Sequence, residues 1–230
     1  MTSATDDKTI VREYFNAQGF DRWSRIYGDG QVNKVQRDIR EGHQQTVDHV
    51  LYWVKQDGNG EELTVCDAGC GVGSLAIPLA AMGAQVYASD ISEKMVAEGR
   101  QRAAAALPAD QQPTFEAKDL EALDGKYHTV VCLDVLIHYP QEKAADMIAH
   151  LSSLAEQRLI LSFAPKNPFY TMLKRIGEFF PGPSKATRAY LHSEADIRKA
   201  LKAQGWEIKR KEFTATQFYF SRLLEAVRVG

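Results

Sequence analysis

The chain is poor in cysteine, in long apolar runs and in net charge, and each shortage removes a class of function. Its three cysteines, Cys66, Cys70 and Cys132, show no paired spacing, which argues against a disulfide framework and against a zinc site. They are expected to be small buried hydrophobes in a reducing compartment, with the cytoplasm as the default location. No apolar run approaches the roughly 20 residues that a membrane-spanning helix requires. The opening MTSATDDKTI is polar and partly acidic, unlike a secretory signal. The 28 basic and 30 acidic side chains leave a formal charge of −2, so no global basic field points to nucleic acid. What remains is 230 residues, 44% of them hydrophobic and 25% charged. That is enough for one cored domain with appendages.

From residue 64 onward, strand-like and helix-like segments alternate. The β-branched runs TVCDAG, QVYASD, TFEAKD, HTVVCLDV and RLILSF are separated by helices or loops, which implies a parallel sheet with helices on both faces. Helices are expected at Ser92–Ala106 behind a serine cap, at Pro140–Gln157, and at Ser193–Gln204. The last of these opens on something close to a capping box and closes on Gly205. Pro78 should bend the helix after the glycines if that helix begins at Ser74. Trp206–Thr216 and Phe218–Arg228 look like an antiparallel pair added at the end of the sheet. The division is therefore a helical arm over 1–63, broken at Gly19 and at YGDGQ, followed by a Rossmann-like α/β domain over 64–230. Within that domain, a proline- and aromatic-rich insertion at about 165–191 has the composition of a lid. Arm and lid are expected to close over the site.

The chemistry is concentrated in VCDAGCGVGSLAIPLA. Gly69, Gly71 and Gly73 suggest a ligand passing close to the backbone. The spacing Asp67-x-Gly69-x-Gly71-x-Gly73 is not that of a NAD-type turn, whose third glycine would fall at Ser74. A phosphate-binding G-K-[ST] is absent too. An acid at the mouth of the turn would repel a pyrophosphate but suit an α-ammonium, and Asp67 is placed for that. Asp90 closes the second strand, where a carboxylate can accept both ribose hydroxyls. Asp119 closes the third and could accept an adenine amine. A ribose, an adenine and an amino-acid end without a phosphate describe S-adenosylmethionine (SAM). Ile91, Met95, Leu120 and Leu133 complete the expected cofactor set. Past Asp134, the stretch LDVLIHYP should bring His138 beside the reacting sulfur.

The motifs DAGCGVG, ASDIS and LDVLIHYP mark the class I SAM-dependent methyltransferase superfamily. The longer stretches YFNAQGFDRWSRIYGDGQVNKVQRDIREGH and FAPKNPFYTMLKRIGEFFPGPSKATRAYLH narrow the match, and the whole chain resembles the magnesium protoporphyrin IX O-methyltransferases of chlorophyll biosynthesis. The resemblance implies methylation of one propionate of Mg-protoporphyrin IX, with S-adenosylhomocysteine (SAH) as the second product and no protein-bound metal. It further implies contact with a magnesium chelatase subunit and at most a peripheral association with photosynthetic membranes. Phe169, Tyr170, Phe179 and Phe180 would form an apolar slot, and Lys174, Arg175 and Arg188 would hold propionates. His138 and Tyr27 are the candidates for orienting the reacting carboxylate, or for ligating or contacting the magnesium centre, with a structural role in the arm as the alternative for Tyr27. Competing readings are a quinone or phenol O-methyltransferase on the same fold, an RNA-binding methyltransferase module and a non-catalytic SAM-binding sensor or scaffold.

Overall fold

The computed structural model describes residues 4–28, 30–58, 63–166 and 190–229. Three helices come first: α1 (Ala4–Asn16), α2 (Gln18–Ile26) and α3 (Lys34–Gln56). Then β1 (Thr64–Ala68), α4 (Ala76–Ala81), β2 (Gln85–Asp90), α5 (Glu93–Ala106) and β3 (Thr114–Ala117) alternate. They are followed by β4 (Tyr127–Cys132), α6 (Gln141–Leu154), β5 (Ala155–Phe163), α7 (Glu194–Ala203), β6 (Trp206–Ala215) and β7 (Phe220–Arg228).

The strands form one sheet in the order β3-β2-β1-β4-β5-β7-β6. The pairs from β3 through β5 are parallel, and β7 runs antiparallel to both β5 and β6. The order reverses between β1 and β4, which opens a crevice at the carboxyl ends of those strands. Central strands are buried on both faces, as helix-covered parallel sheets require. On one face Val47, Val50 and Trp53 of α3, Leu79 of α4 and Val96 of α5 pack against Val65, Val86 and Val131. On the other, Met147, Ile148 and Leu151 of α6 and Ile197 and Leu201 of α7 pack against Val130, Leu159 and Leu161. The C-terminal half of α3 is therefore core, not appendage. All three cysteines are free and buried, and burial pushes the Cys66 thiol up to about 12.

Several local expectations shift. The first break in the arm falls at Ala17, not Gly19. Gly19 lies inside α2, where a Cβ would come 2.6 Å from the Tyr14 ring, so it serves a close approach. The helix after the glycines begins at Ala76. Pro78 thus sits in its first turn, where no intrahelical donor is needed and no bend follows. Helix α6 stops at Leu154 because Ala155 already pairs with Tyr127 in the sheet. Ser193 caps α7 through its backbone carbonyl, which accepts from Asp196 and Ile197, and not through its side chain. Gly205 adopts φ +77° just past that helix, as its position suggested.

Candidate active site

The crevice holds a cavity of about 700 Å³, within the range of small-molecule sites. Its floor is the glycine turn, whose three glycines answer three different demands. Gly69 has φ +90°, and a Cβ there would come 2.1 Å from Val135. Gly73 has φ +84° and is crowded by Phe115 and Ile77 at 3.0 and 3.2 Å. Gly71, at φ +53°, alone of the three would meet nothing within 4 Å. Among these glycines, then, Gly71 is the one that leaves room for a ligand, and the other two leave room for protein. The turn is held from behind, since Gly69 and Cys70 both donate to the Ser89 carbonyl at 2.8 Å.

Asp90 closes β2 and accepts from Gly71 N at 3.0 Å and Ser92 N at 2.9 Å. Burial raises its pKa, and the two N–H donors counter part of that rise. Ile91, Met95, Asp119, Leu120 and Leu133 join it along the cavity wall with Gly69 and Gly71. Asp67 does not. It is 2% exposed beneath the turn, accepts from the Ala76 backbone and leaves Oδ2 without a partner. Burial, and then the Asp90 charge, push its carboxyl up to about 7. The expectation of an acid at the mouth of the turn is corrected: strand β1 ends one residue later, so Asp67 still points into the core. Gly73 likewise lies off the cavity wall.

Across the cavity, the short 3-10 turn Leu136–His138 presents His138. Its Nδ1 is buried without a partner, and Phe15 of α1 meets the ring edge-on at 5.6 Å. Burial lowers its pKa to about 4, against the opposing pull of Asp134. This turn is pinned by the fully buried His192, whose Nε2 donates to the Leu136 carbonyl at 2.8 Å. Tyr27, at the end of α2, also lines the cavity, stacked on Trp23 at 5.4 Å. Burial, Asp134 and Asp90 together drive its pKa well above the usual phenol value, so the hydroxyl keeps its proton. Two arginines fix that end of α2. Arg102 donates to the Tyr27 and Ser24 carbonyls, and Arg40 to those of Ile26, Arg25 and Gly30.

Between these groups lies Asp134, with φ +56°, the one non-glycine positive φ among the described residues. Its carboxylate meets His43 Nδ1 at 2.8 Å, the Tyr219 hydroxyl at 2.9 and 3.0 Å, and Ser162 Oγ at 3.0 Å. Burial alone would raise its pKa, but the hydrogen bonds it accepts, that from His43 first, hold it below the usual carboxylate range.

The magnesium-protoporphyrin O-methyltransferase of Synechocystis is 66% identical over 229 residues, covering 99% of this chain and 100% of that protein. The chain belongs to the magnesium-protoporphyrin O-methyltransferase family. The model of the family described as magnesium-protoporphyrin IX methyltransferase C-terminus matches residues 132–228, and a methyltransferase-domain model matches 65–157. The chloroplastic magnesium protoporphyrin IX methyltransferase of Arabidopsis thaliana is 63% identical over 222 residues, which cover 96% of this chain and 71% of that one. A crystal structure of the Synechocystis enzyme with bound SAH matches with a TM-score of 0.91 at 65% identity, covering 96% of this chain and 100% of that chain. A second, with bound SAM, covers all of both chains at a TM-score of 0.88.

In this magnesium-protoporphyrin O-methyltransferase family member the cavity gathers eight of the ten residues expected at the cofactor, together with His138 and Tyr27. Phe169, Tyr170, Lys174, Arg175, Phe179, Phe180 and Arg188 lie outside the described residues. Among the cavity residues not singled out as site residues from sequence are His43, Asp134, Tyr219 and Lys143. Their signals were faint, being one histidine mid-helix, one acid past a strand, and residues of a hairpin tip and a helix start.

Proposed function

We propose that the protein transfers the methyl group of SAM to a propionate carboxylate of Mg-protoporphyrin IX, giving the monomethyl ester and SAH. The observation that carries this reading is that one cavity joins the Gly71–Asp90 cradle to His138 and Tyr27, whose ionisation suits orienting a carboxylate. The open space at Gly71 and the carboxylates of Asp90 and Asp119 fit SAM. Asp90 would take the ribose hydroxyls and Asp119 the adenine amine. When bound, SAM supplies an electrophilic methyl group on a sulfonium. The chain's own work is on the other side. A propionate, with a pKa near that of glutamate at about 4.3, is already an anion at neutral pH. It needs alignment and exclusion of water, not deprotonation. Tyr27 donates its hydroxyl proton as a hydrogen bond, neutral His138 fixes the second oxygen, and the surrounding aromatic side chains keep the site dry. Lys143, at the cavity wall, supplies positive charge for a propionate.

A phenol substrate, with a pKa near 10, would call for a base poised near neutrality, and His138 at about 4 is not one. The rate should therefore show no acidic limb at about pH 6–7 that disappears in His138→Gln, and such a limb would favour the phenol reading. Mass spectrometry of Mg-protoporphyrin IX incubated with protein and SAM tests the class directly. A gain of one methyl group is expected, and no gain refutes it. Contact with a magnesium chelatase subunit and peripheral association with photosynthetic membranes complete the reading on the strength of the resemblance. Among the described residues no helix is long and apolar enough to cross a membrane, and co-sedimentation with membrane vesicles would check the second point.

A further inference from the structure

We infer that His43 is the axial ligand of the porphyrin's magnesium, binding it through Nε2 while Asp134 holds the other side of the ring. The inference rests on the porphyrin reading above and adds a specificity-determining residue to it. His43 lines the cavity from α3, with its ring centroid 4.4 Å from that of Tyr27, which fixes the imidazole plane. Its Nδ1 lies 2.8 Å from Asp134 Oδ2. That carboxylate also accepts from Tyr219 and Ser162, so it is anchored from the tip before β7 and from β5 and cannot follow the imidazole if it turns. An ionised carboxylate accepts hydrogen bonds and donates none. In the neutral imidazole the proton therefore sits on Nδ1 and the lone pair on Nε2.

Nε2 has no hydrogen-bond partner among the described residues, and the side chain keeps 13% of its surface open beside the cavity it lines. An imidazole whose second nitrogen is tied to a carboxylate is the arrangement that orients a metal-binding histidine and raises its basicity. No group of three metal-binding side chains occurs among the described residues to claim it. The substrate does carry a metal. A porphyrin's own nitrogens leave an axial position of the magnesium open, where an imidazole can replace water. The same dyad could serve as a general base, but a carboxylate nucleophile has no proton to surrender. The other two candidates are less suited. Tyr27 retains its proton, and His138 Nδ1 has no partner to orient it.

Cobalt(II) protoporphyrin IX, bound to the full chain with SAH, is the probe. Its electron paramagnetic resonance spectrum shows nitrogen superhyperfine splitting when one axial imidazole is present. The splitting is expected in wild type and in His138→Ala. It should vanish in His43→Gln, whose amide can still donate to Asp134, and return when imidazole is added. In turnover, the preference in kcat/KM for Mg-protoporphyrin over metal-free protoporphyrin should fall roughly tenfold or more in His43→Gln. Should that variant not fold, the wild-type spectrum decides, because isotopically labelled histidine must alter the splitting. Absence of splitting in wild type, or its persistence in folded His43→Gln, overturns the proposal. Methylation of Mg-protoporphyrin by wild type is scored separately, so failure here leaves the porphyrin reading standing and failure there removes both.

Discussion

Asp90 holds the Gly71 N–H of the glycine turn and the Ser92 N–H at the start of α5 and still faces the cavity, so its loss acts twice. Asp90→Ala should weaken SAM binding by about 1.5–3 kcal/mol for each charge-assisted bond forfeited, and calorimetric titration of the folded variant measures this. Asp67 behaves differently because a single backbone donor, that of Ala76, counters its burial. Its folded pKa, raised to about 7, makes a stability contribution present below about pH 4 and lost as pH rises through 7. His138, lowered to about 4, has the opposite slope: its contribution is present above about pH 6.5 and lost as pH falls towards 4. The two partly offset between pH 4 and 6.5. Asp67→Asn should therefore steepen the rise in stability with pH across that window and leave the ligand-free protein more stable than wild type above pH 7. Urea denaturation at several pH values would show both effects. At this scale the sequence disclosed which residues matter more readily than which way they face. The glycine spacing was legible, but whether Val135, Phe115 or a ligand fills the space beside each glycine depends on neighbours remote in sequence.

Helix α3 shows how one element carries several duties. Its start is secured by a capping box between Asn33 and Gln36. One turn on, Asp38 accepts from Thr216 Oγ1, Gln217 N and Phe218 N, gripping the tip between β6 and β7. Another turn along, Gly42 lets the Tyr219 ring lie against the helix, and Thr46 then meets the Tyr219 hydroxyl at 3.1 Å. A Cβ at position 42 would come 2.4 Å from that ring. Gly42→Ala, a change that ordinarily favours a helix, should here cost about 1–3 kcal/mol through overpacking. It should also lower the Tm and displace Tyr219 from Asp134. A thermal melt giving equal or greater stability would contradict the packing argument. Strands were easier to read than helix ends. The β-branched runs announced β1 to β5, whereas the end of α6 was hidden because Ala155, Glu156 and Gln157 suit a helix and are claimed by the sheet instead.

For the molecule as a whole, strand order at β1 and β4 places the crevice, and that much follows from the alternating pattern. The polar cluster around Asp134 does not. It draws on α3, β4, β5 and the tip before β7, with partners 91, 85 and 28 residues away in the chain, and no local period can announce such a meeting. One further feature is the seam at either end of the insertion. Pro165 bridges His192, Lys166 N donates to the His192 carbonyl at 2.8 Å, and His192 N donates to that of Ala164 at 2.9 Å. The seam holds residues 164–166 beside His192, so the points where the chain leaves and re-enters the described fold around 167–189 are already brought together. Joining two fixed ends costs an entropy that changes by about 0.6 kcal/mol for each doubling of the length between them. Replacing 167–189 with a short Gly-Ser linker should therefore leave the fold and SAM affinity nearly unchanged while abolishing methylation of the porphyrin. Calorimetry and mass spectrometry on the shortened chain would separate the two. The seam is thus a natural graft point, at which insertions from relatives could be exchanged as cassettes to change the acceptor without rebuilding the methyl-donor half.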